Sequence, residues 1–159
     1  MPESPGIYFS WGNIEGHPAG AGYNFTQTVY DATPAAAISD NLSLDQDAAR
    51  ASLGAPWRMP TAAEFQELVD NCTSVWTSLN GMNGRLFTSN VNGKTLFFPA
   101  AGGYGGTTLY SRGNEGKYWS STFSTTVYAR MFDIKASVVD PNFNDERRYG
   151  FTVRAVRSA

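Results

Sequence analysis

One cysteine, Cys72, and one histidine, His17, are all that the 159-residue chain holds of the two residue types most used for metal ligation and nucleophilic chemistry. A lone cysteine excludes an intrachain disulfide. Without a second histidine there is no histidine-based zinc site, and no G-x-S-x-G elbow presents a serine. Charge is sparse as well: 16% of residues are Asp, Glu, Lys or Arg, and the formal net charge is -2. The basic footprint that neutralises phosphates is therefore missing, and nucleic acid is not an expected partner. No run approaches the roughly 18 apolar residues of a membrane span. The opening MPESPGIYFSWGN lacks the basic and then apolar stretch of a secretory signal.

The remaining candidates for chemistry thin out quickly. Glu64 with Glu67 and Asp45 with Asp47 are carboxylate pairs on or near predicted helices, where a solvated face accounts for them. The AGGYGG run at 101–106 is not followed by the helix N-terminus that a phosphate cradle requires, so its glycines read as turn residues. Asp140, Asp145 and Glu146 lack the spacing of an EF-hand loop. His17, set among Gly16, Pro18 and Gly20, reads as a loop residue. No catalytic constellation, metal site or cofactor is expected.

Sixteen glycines and 14% aromatics are present instead, in a length that suits one domain over 1–159. GIYFSW at 6–11 is rich in strand formers, and LDQDAARASLG at 44–54 predicts a short helix closed by Gly54. The strongest local signal is WRMPTAAEFQELVDNC at 57–72. Thr61 and Glu64 have capping-box spacing, Pro60 stops backward propagation, and Phe65, Leu68, Val69 and Cys72 form an i, i+3, i+4, i+7 stripe. Cys72 therefore reads as a small buried hydrophobe. Beyond it SVWTSL, RLFTS and KTLFF alternate with Asn80-Gly81, Asn83-Gly84 and Asn92-Gly93, the chemistry of hairpins. KYWSS, VYARMFDI and GFTVRAV are further strand candidates. With helices early and strands late, the expected class is α+β.

WRMPTAAEFQELVDN, YWSST and the closing YGFTVRAVR together resemble the C-type lectin-fold domains of the formylglycine-generating-enzyme type. In particular they are similar to the Fibrobacter and Bacteroidetes paralogous surface domains, a group that includes the variable proteins of diversity-generating retroelements. The resemblance runs from about Ile7 to Arg157. It implies a C-type lectin-like fold with two helices packed on short antiparallel strands and long loops. It also implies core places for Trp57, Trp119 and Phe151, and loop-holding hydrogen bonds from Arg58 and Arg154. Two activities of relatives are not implied. The enzymes rely on a cysteine pair that this chain lacks, and calcium-dependent lectins carry W-N-D where this chain reads Trp119-Ser120-Ser121.

Variable proteins of that kind place their variable region in the C-terminal part of the fold, here about 102–150. Within it Tyr104, Tyr110, Arg112, Asn114, Tyr128, Arg130, Asp133, Asn142, Phe143, Asn144 and Arg147 are the candidate ligand-binding residues. Tyr and Arg bring contact area and Asn adaptable hydrogen bonding, the side chains that binding surfaces favour. The expectation is a non-enzymatic domain that binds a protein or glycan on a cell surface. It would act outside the cell, on a virion or a bacterial envelope. The alternative is a fixed adhesin or carbohydrate-binding module.

Overall fold

The computed structural model describes residues 1–26 and 40–157. In chain order the elements are β1 (Tyr8–Phe9), a 3-10 turn (Leu44–Gln46), α1 (Ala48–Leu53), β2 (Trp57–Arg58), α2 (Ala62–Asn71), β3 (Cys72–Leu79), β4 (Met82–Ser89), β5 (Thr95–Pro99), β6 (Gly103–Gly105), β7 (Thr108–Tyr110), β8 (Gly116–Phe123), β9 (Tyr128–Ile134), β10 (Val139–Glu146), β11 (Phe151–Thr152) and β12 (Val156–Arg157). A five-stranded sheet has the order β1-β11-β8-β9-β10 and a three-stranded sheet the order β3-β4-β5; β12-β2 and β6-β7 are two-stranded. Among the described residues no helix is long and apolar enough to cross a membrane.

The α+β, C-type lectin-like expectation is corrected by this inventory. Twelve strands stand against two α-helices of six and ten residues, so the described chain is mostly β. The physical reason lies in the turns: Asn80-Gly81 and Asn92-Gly93 each return the chain into another antiparallel partner, while Asn83-Gly84, read as a third such turn, lies inside β4. Asn80-Gly81, for example, adopts φ of 48° and 82° and closes an eight-pair β3–β4 ladder without a bulge.

The capped helix forms as its sequence dictates. Thr61 Oγ1 accepts from the Glu64 amide (3.1 Å) while Glu64 Oε2 accepts from the Thr61 amide (2.8 Å). Arg58 then holds the same carboxylate with both guanidinium nitrogens and also donates to Met59 O (3.1 Å), so its loop-holding role is met. Phe65, with Leu68 and Val69 beside it, packs on Phe87, Phe98, Tyr118, Phe132 and Ile134. Cys72 touches that cluster too, but as the first residue of β3: its φ of -130° and ψ of 147° are extended, and the helix ends one residue earlier than the stripe implies.

A second core joins the N-terminal segment to the large sheet. The Trp11 indole donates to Ser120 O (2.7 Å), and the Trp119 indole donates to Phe9 O (2.8 Å). The Trp119 ring packs on Phe151 in a tilted contact at 4.5 Å, and all three rings are fully buried. Trp57 does not join them. It lies on the two-residue strand β2 and is 36% exposed. Arg154 lies over the Phe98 ring at 5.6 Å, a stacking contact in place of the hydrogen bonds expected of it.

Hydrogen bonds from Arg58 hold the Glu64 carboxyl below its ordinary range, against the opposing effect of burial. A lowered folded-state pKa contributes stability that is present above the unfolded value, about 4.3, and is lost as pH falls through the folded one. Glu64→Gln keeps a capping side chain and removes the charge. It is predicted to lower Tm at neutral pH, with the variant and parent melting curves converging as pH drops below about 4. Melting curves that stay equally separated at every pH would contradict this source of stability.

Candidate recognition face

The β9–β10 hairpin carries most of the candidate residues. Its register sets Glu146 opposite Tyr128, Asn144 opposite Arg130 and Phe143 opposite Met131, with a bulge between Asp140 and Phe143. Because side chains alternate across a strand, Phe143 shares a face with Met131 and Asp145 one with Ala129. Both apolar partners are fully buried, so the inner strand of that face is held in the core. Tyr128, Arg130 and Asn144 project to the opposite face. The two faces meet at β10, the sheet's edge strand, where Arg130 Nη1 reaches across to Asn142 O (3.2 Å). Asn142, Phe143 and Asn144 are exposed in succession, and Tyr128 and Phe143 are each 41% exposed.

Arg112 and Asn114 are exposed on a separate turn between β7 and β8. That turn is fixed by its backbone: Ser111 takes φ of 56°, the Asn114 amide donates to Ser111 O (3.0 Å), and the Gly113 amide donates to Ala100 O (2.7 Å).

Three candidates are corrected by their burial. Arg147 is fully buried: its guanidinium lies 5.1 Å above the Trp11 ring, and Nη1 donates to Thr126 O (2.9 Å). Tyr104 meets Tyr8 edge-on at 4.9 Å, packs on Phe25 at 5.4 Å, and accepts at its hydroxyl from the Gly20 amide (3.0 Å). Asp133 is 2% exposed and lies 3.2 Å from Lys135 and 3.6 Å from Lys117. All three hold the scaffold together. Tyr110 and Arg130 are half-buried, and Tyr110 packs against the tryptophan core.

Asp133 belongs to a charge cluster that underlies the face. Lys117, nearly buried, lies 3.1 Å from Glu115 and 3.9 Å from Asp145, while Lys135 lies 3.5 Å from Glu115. Burial alone would raise the Glu115 pKa, but Lys117 and Lys135 hold it below its ordinary value. Burial pushes the Asp145 carboxyl up, and burial together with the Asp145 charge pushes the Tyr110 phenol up. Tyr110 is therefore a neutral hydrogen-bonding group throughout the physiological range. Sequence reasoning missed Glu115, Lys117, Lys135 and Asp145 as a unit. The available signal was the alternation Glu115-x-Lys117 and Asp133-x-Lys135, charges spaced for one face of paired strands.

A groove of about 620 Å³ lies elsewhere, bordered by Phe65, Leu68, Cys72, Leu96, Phe98 and Arg154. Its walls come from elements distant in sequence, so no local motif could announce it. Among the described residues no group of three or more His, Cys, Asp or Glu side chains is placed to hold a metal ion. No family model matches the chain, and neither a curated protein nor a solved structure matches it.

The partition into scaffold and surface is checked by stability. Arg147→Ala removes a buried stacked cation and leaves the Thr126 carbonyl without its donor, for a predicted loss of about 3 kcal/mol. Arg112→Ala is predicted to stay within about 0.5 kcal/mol of the parent. Urea titrations showing equal losses for the two variants would contradict the partition.

Proposed function

We propose that the chain is a non-enzymatic ligand-binding domain that contacts a protein or glycan on a cell surface. Its contact residues are Tyr128, Arg130, Asn142, Phe143 and Asn144 on the β9–β10 hairpin, joined by Arg112 and Asn114 on the preceding turn. The observation that carries this reading is the pairing of half-exposed Phe143 with fully buried Met131 across one ladder. Fully buried Met131 fixes the backbone beside Phe143 on the same face, so little conformational entropy is lost when the exposed part of that aromatic is covered by a ligand. The exposed Asn and Arg side chains around it supply hydrogen bonds of adjustable geometry.

The proposal extends to a retroelement-diversified variable protein, displayed on a virion or bacterial envelope. Support comes from the three ordered motifs and from the concentration of exposed candidates in the final third of the chain. Backbone bonds, the bulge and Arg147 hold that region, and of the proposed contact side chains Arg130 adds one bond, to Asn142 O. The alternative of a fixed adhesin or carbohydrate module uses the same surface. A near-copy of the final third in adjacent DNA, differing at template adenines, supports diversification; its absence favours the fixed module.

Binding of fluorescently labelled protein to a panel of bacterial cells and to a glycan array is the direct assay. Tyr128→Ala combined with Phe143→Ala is predicted to weaken any binding found by at least about tenfold while Tm moves by less than about 3 °C. Undiminished binding by the double variant would refute the assignment of this surface.

A further inference from the structure

Among the described residues β3 is an edge without a second partner strand. Edge strands invite pairing with other chains, and proteins ordinarily blunt them with charges, prolines, bulges or covering segments. The other long edges here are blunted. β10 has a bulge, Pro141, and two aspartates whose carboxylates take neighbouring amides of the strand, Asp140 from Asn142 and Asp145 from Glu146 (both 2.9 Å). β5 ends in Pro99, whose carbonyl accepts from the Tyr118 hydroxyl and the Ala101 amide. β1 is two residues long and bonded to His17 through both backbone groups of Tyr8. β3 has none of these devices. Its eight residues, CTSVWTSL, carry no charge and no proline, and they pair with β4 without interruption.

The hairpin geometry fixes which backbone groups are open. Leu79 and Met82 flank a two-residue turn, so they form a hydrogen-bonded pair, and the bonded phase continues through Thr77, Val75 and Thr73. Ser74, Trp76 and Ser78 therefore direct their N–H and C=O groups away from β4. Among the described residues no backbone hydrogen bond reaches them. Val75, midway along the strand, is 56% exposed.

We infer that β3 pairs antiparallel with β3 of a second copy of this chain, with Val75 on the two-fold axis. Only registers that set outward groups opposite outward groups are possible, which restricts the axis to a residue rather than a gap between residues. Centred on Val75, the run matches itself: Val75 faces Val75, Thr73 faces Thr77, and Ser74 and Trp76 exchange paired backbone bonds. Each contact is uncharged, the Thr73 and Thr77 hydroxyls face one another, and the exposed valines meet at the close, non-hydrogen-bonded spacing of about 4.5 Å between Cα atoms. A charged peptide would find no complementary charge on this edge, whereas a second copy matches its outward backbone groups and sets uncharged side chains opposite uncharged ones. The two three-stranded sheets join into one of six strands. Each dimer then presents two recognition faces, although the pairing does not depend on that reading.

The test is sedimentation velocity across a concentration series, with variants at the axis. The parent chain is expected to show a dimer fraction that rises with concentration. Val75→Lys places like charges face to face and is expected to weaken association by about 100-fold or more; Val75→Glu does the same. An equimolar mixture of the two is expected to recover the dimer, because unlike charges now meet. That recovery also separates loss of pairing from loss of folding. In a Cys72→Ser background, Val75→Cys is expected to form an interchain disulfide on mild oxidation, since the predicted spacing lies within disulfide range. A parent chain monomeric at every concentration, a Val75→Lys variant that dimerises like the parent, or a Val75→Cys variant that stays unlinked would each overturn the inference.

Discussion

Two indoles that must be buried and must still find acceptors are what the remainder of the structure is built around. An indole N–H taken from water without a partner is costly, and each tryptophan here solves the problem on the other's segment. Trp11, just after β1, donates to Ser120 on β8, and Trp119 on β8 donates to Phe9 on β1. Residues more than 100 positions apart are thereby locked at a fixed offset, and Phe151 from β11 fills the space beside Trp119. With β8 fixed on one side, β9 and β10 add as an antiparallel extension whose outer rim is free to carry side chains that no core contact constrains.

Arg147 shows how the scaffold continues to the edge of that rim. A buried arginine is costly unless it is hydrogen-bonded and its plane is covered; here Nη1 donates to the Thr126 carbonyl and the Trp11 ring covers the guanidinium. The same residue's backbone binds Val127 through its amide and Trp11 through its carbonyl, so the turn after β10 is clamped to the turn before β9. Asp133 and Lys117 do comparable work between β8 and β9, through charge rather than stacking. The proposed recognition surface is thus a thin layer of side chains over closely determined backbone, the arrangement in which substitution would change what is bound more than what is folded.

Much of this was legible from local chemistry. The capping box of α2 and the Gly54 cap of α1 form as their residues predict, and so does the β3–β4 hairpin, because each depends on bonds within a few residues. The class was not legible, since strands as short as β1, β2, β11 and β12 exist only through distant partners and leave no periodicity. Among the candidate contact residues, type alone could not separate Arg112, which faces solvent, from Arg147, which faces Trp11. Both are arginines in polar stretches near the C-terminus, and only the fold decides between them. Tyr104 was obscured in the same way: AGGYGG reads as a turn, yet its glycines allow β6 to lie close against neighbouring rings. A Cβ on Gly103 would stand 2.6 Å from the Phe151 ring.

The account's central claim is that scaffold and recognition surface are separable within the last third of the chain. Its most direct test is a pair of randomised libraries displayed on cells and sorted for protease resistance as a measure of folding. One library varies Arg112, Asn114, Tyr128, Asn142, Phe143 and Asn144 together; the other varies Tyr104, Asp133 and Arg147. The account predicts that most members of the first library resist protease like the parent and that nearly all of the second are cleaved. Comparable survival of the two libraries would contradict it.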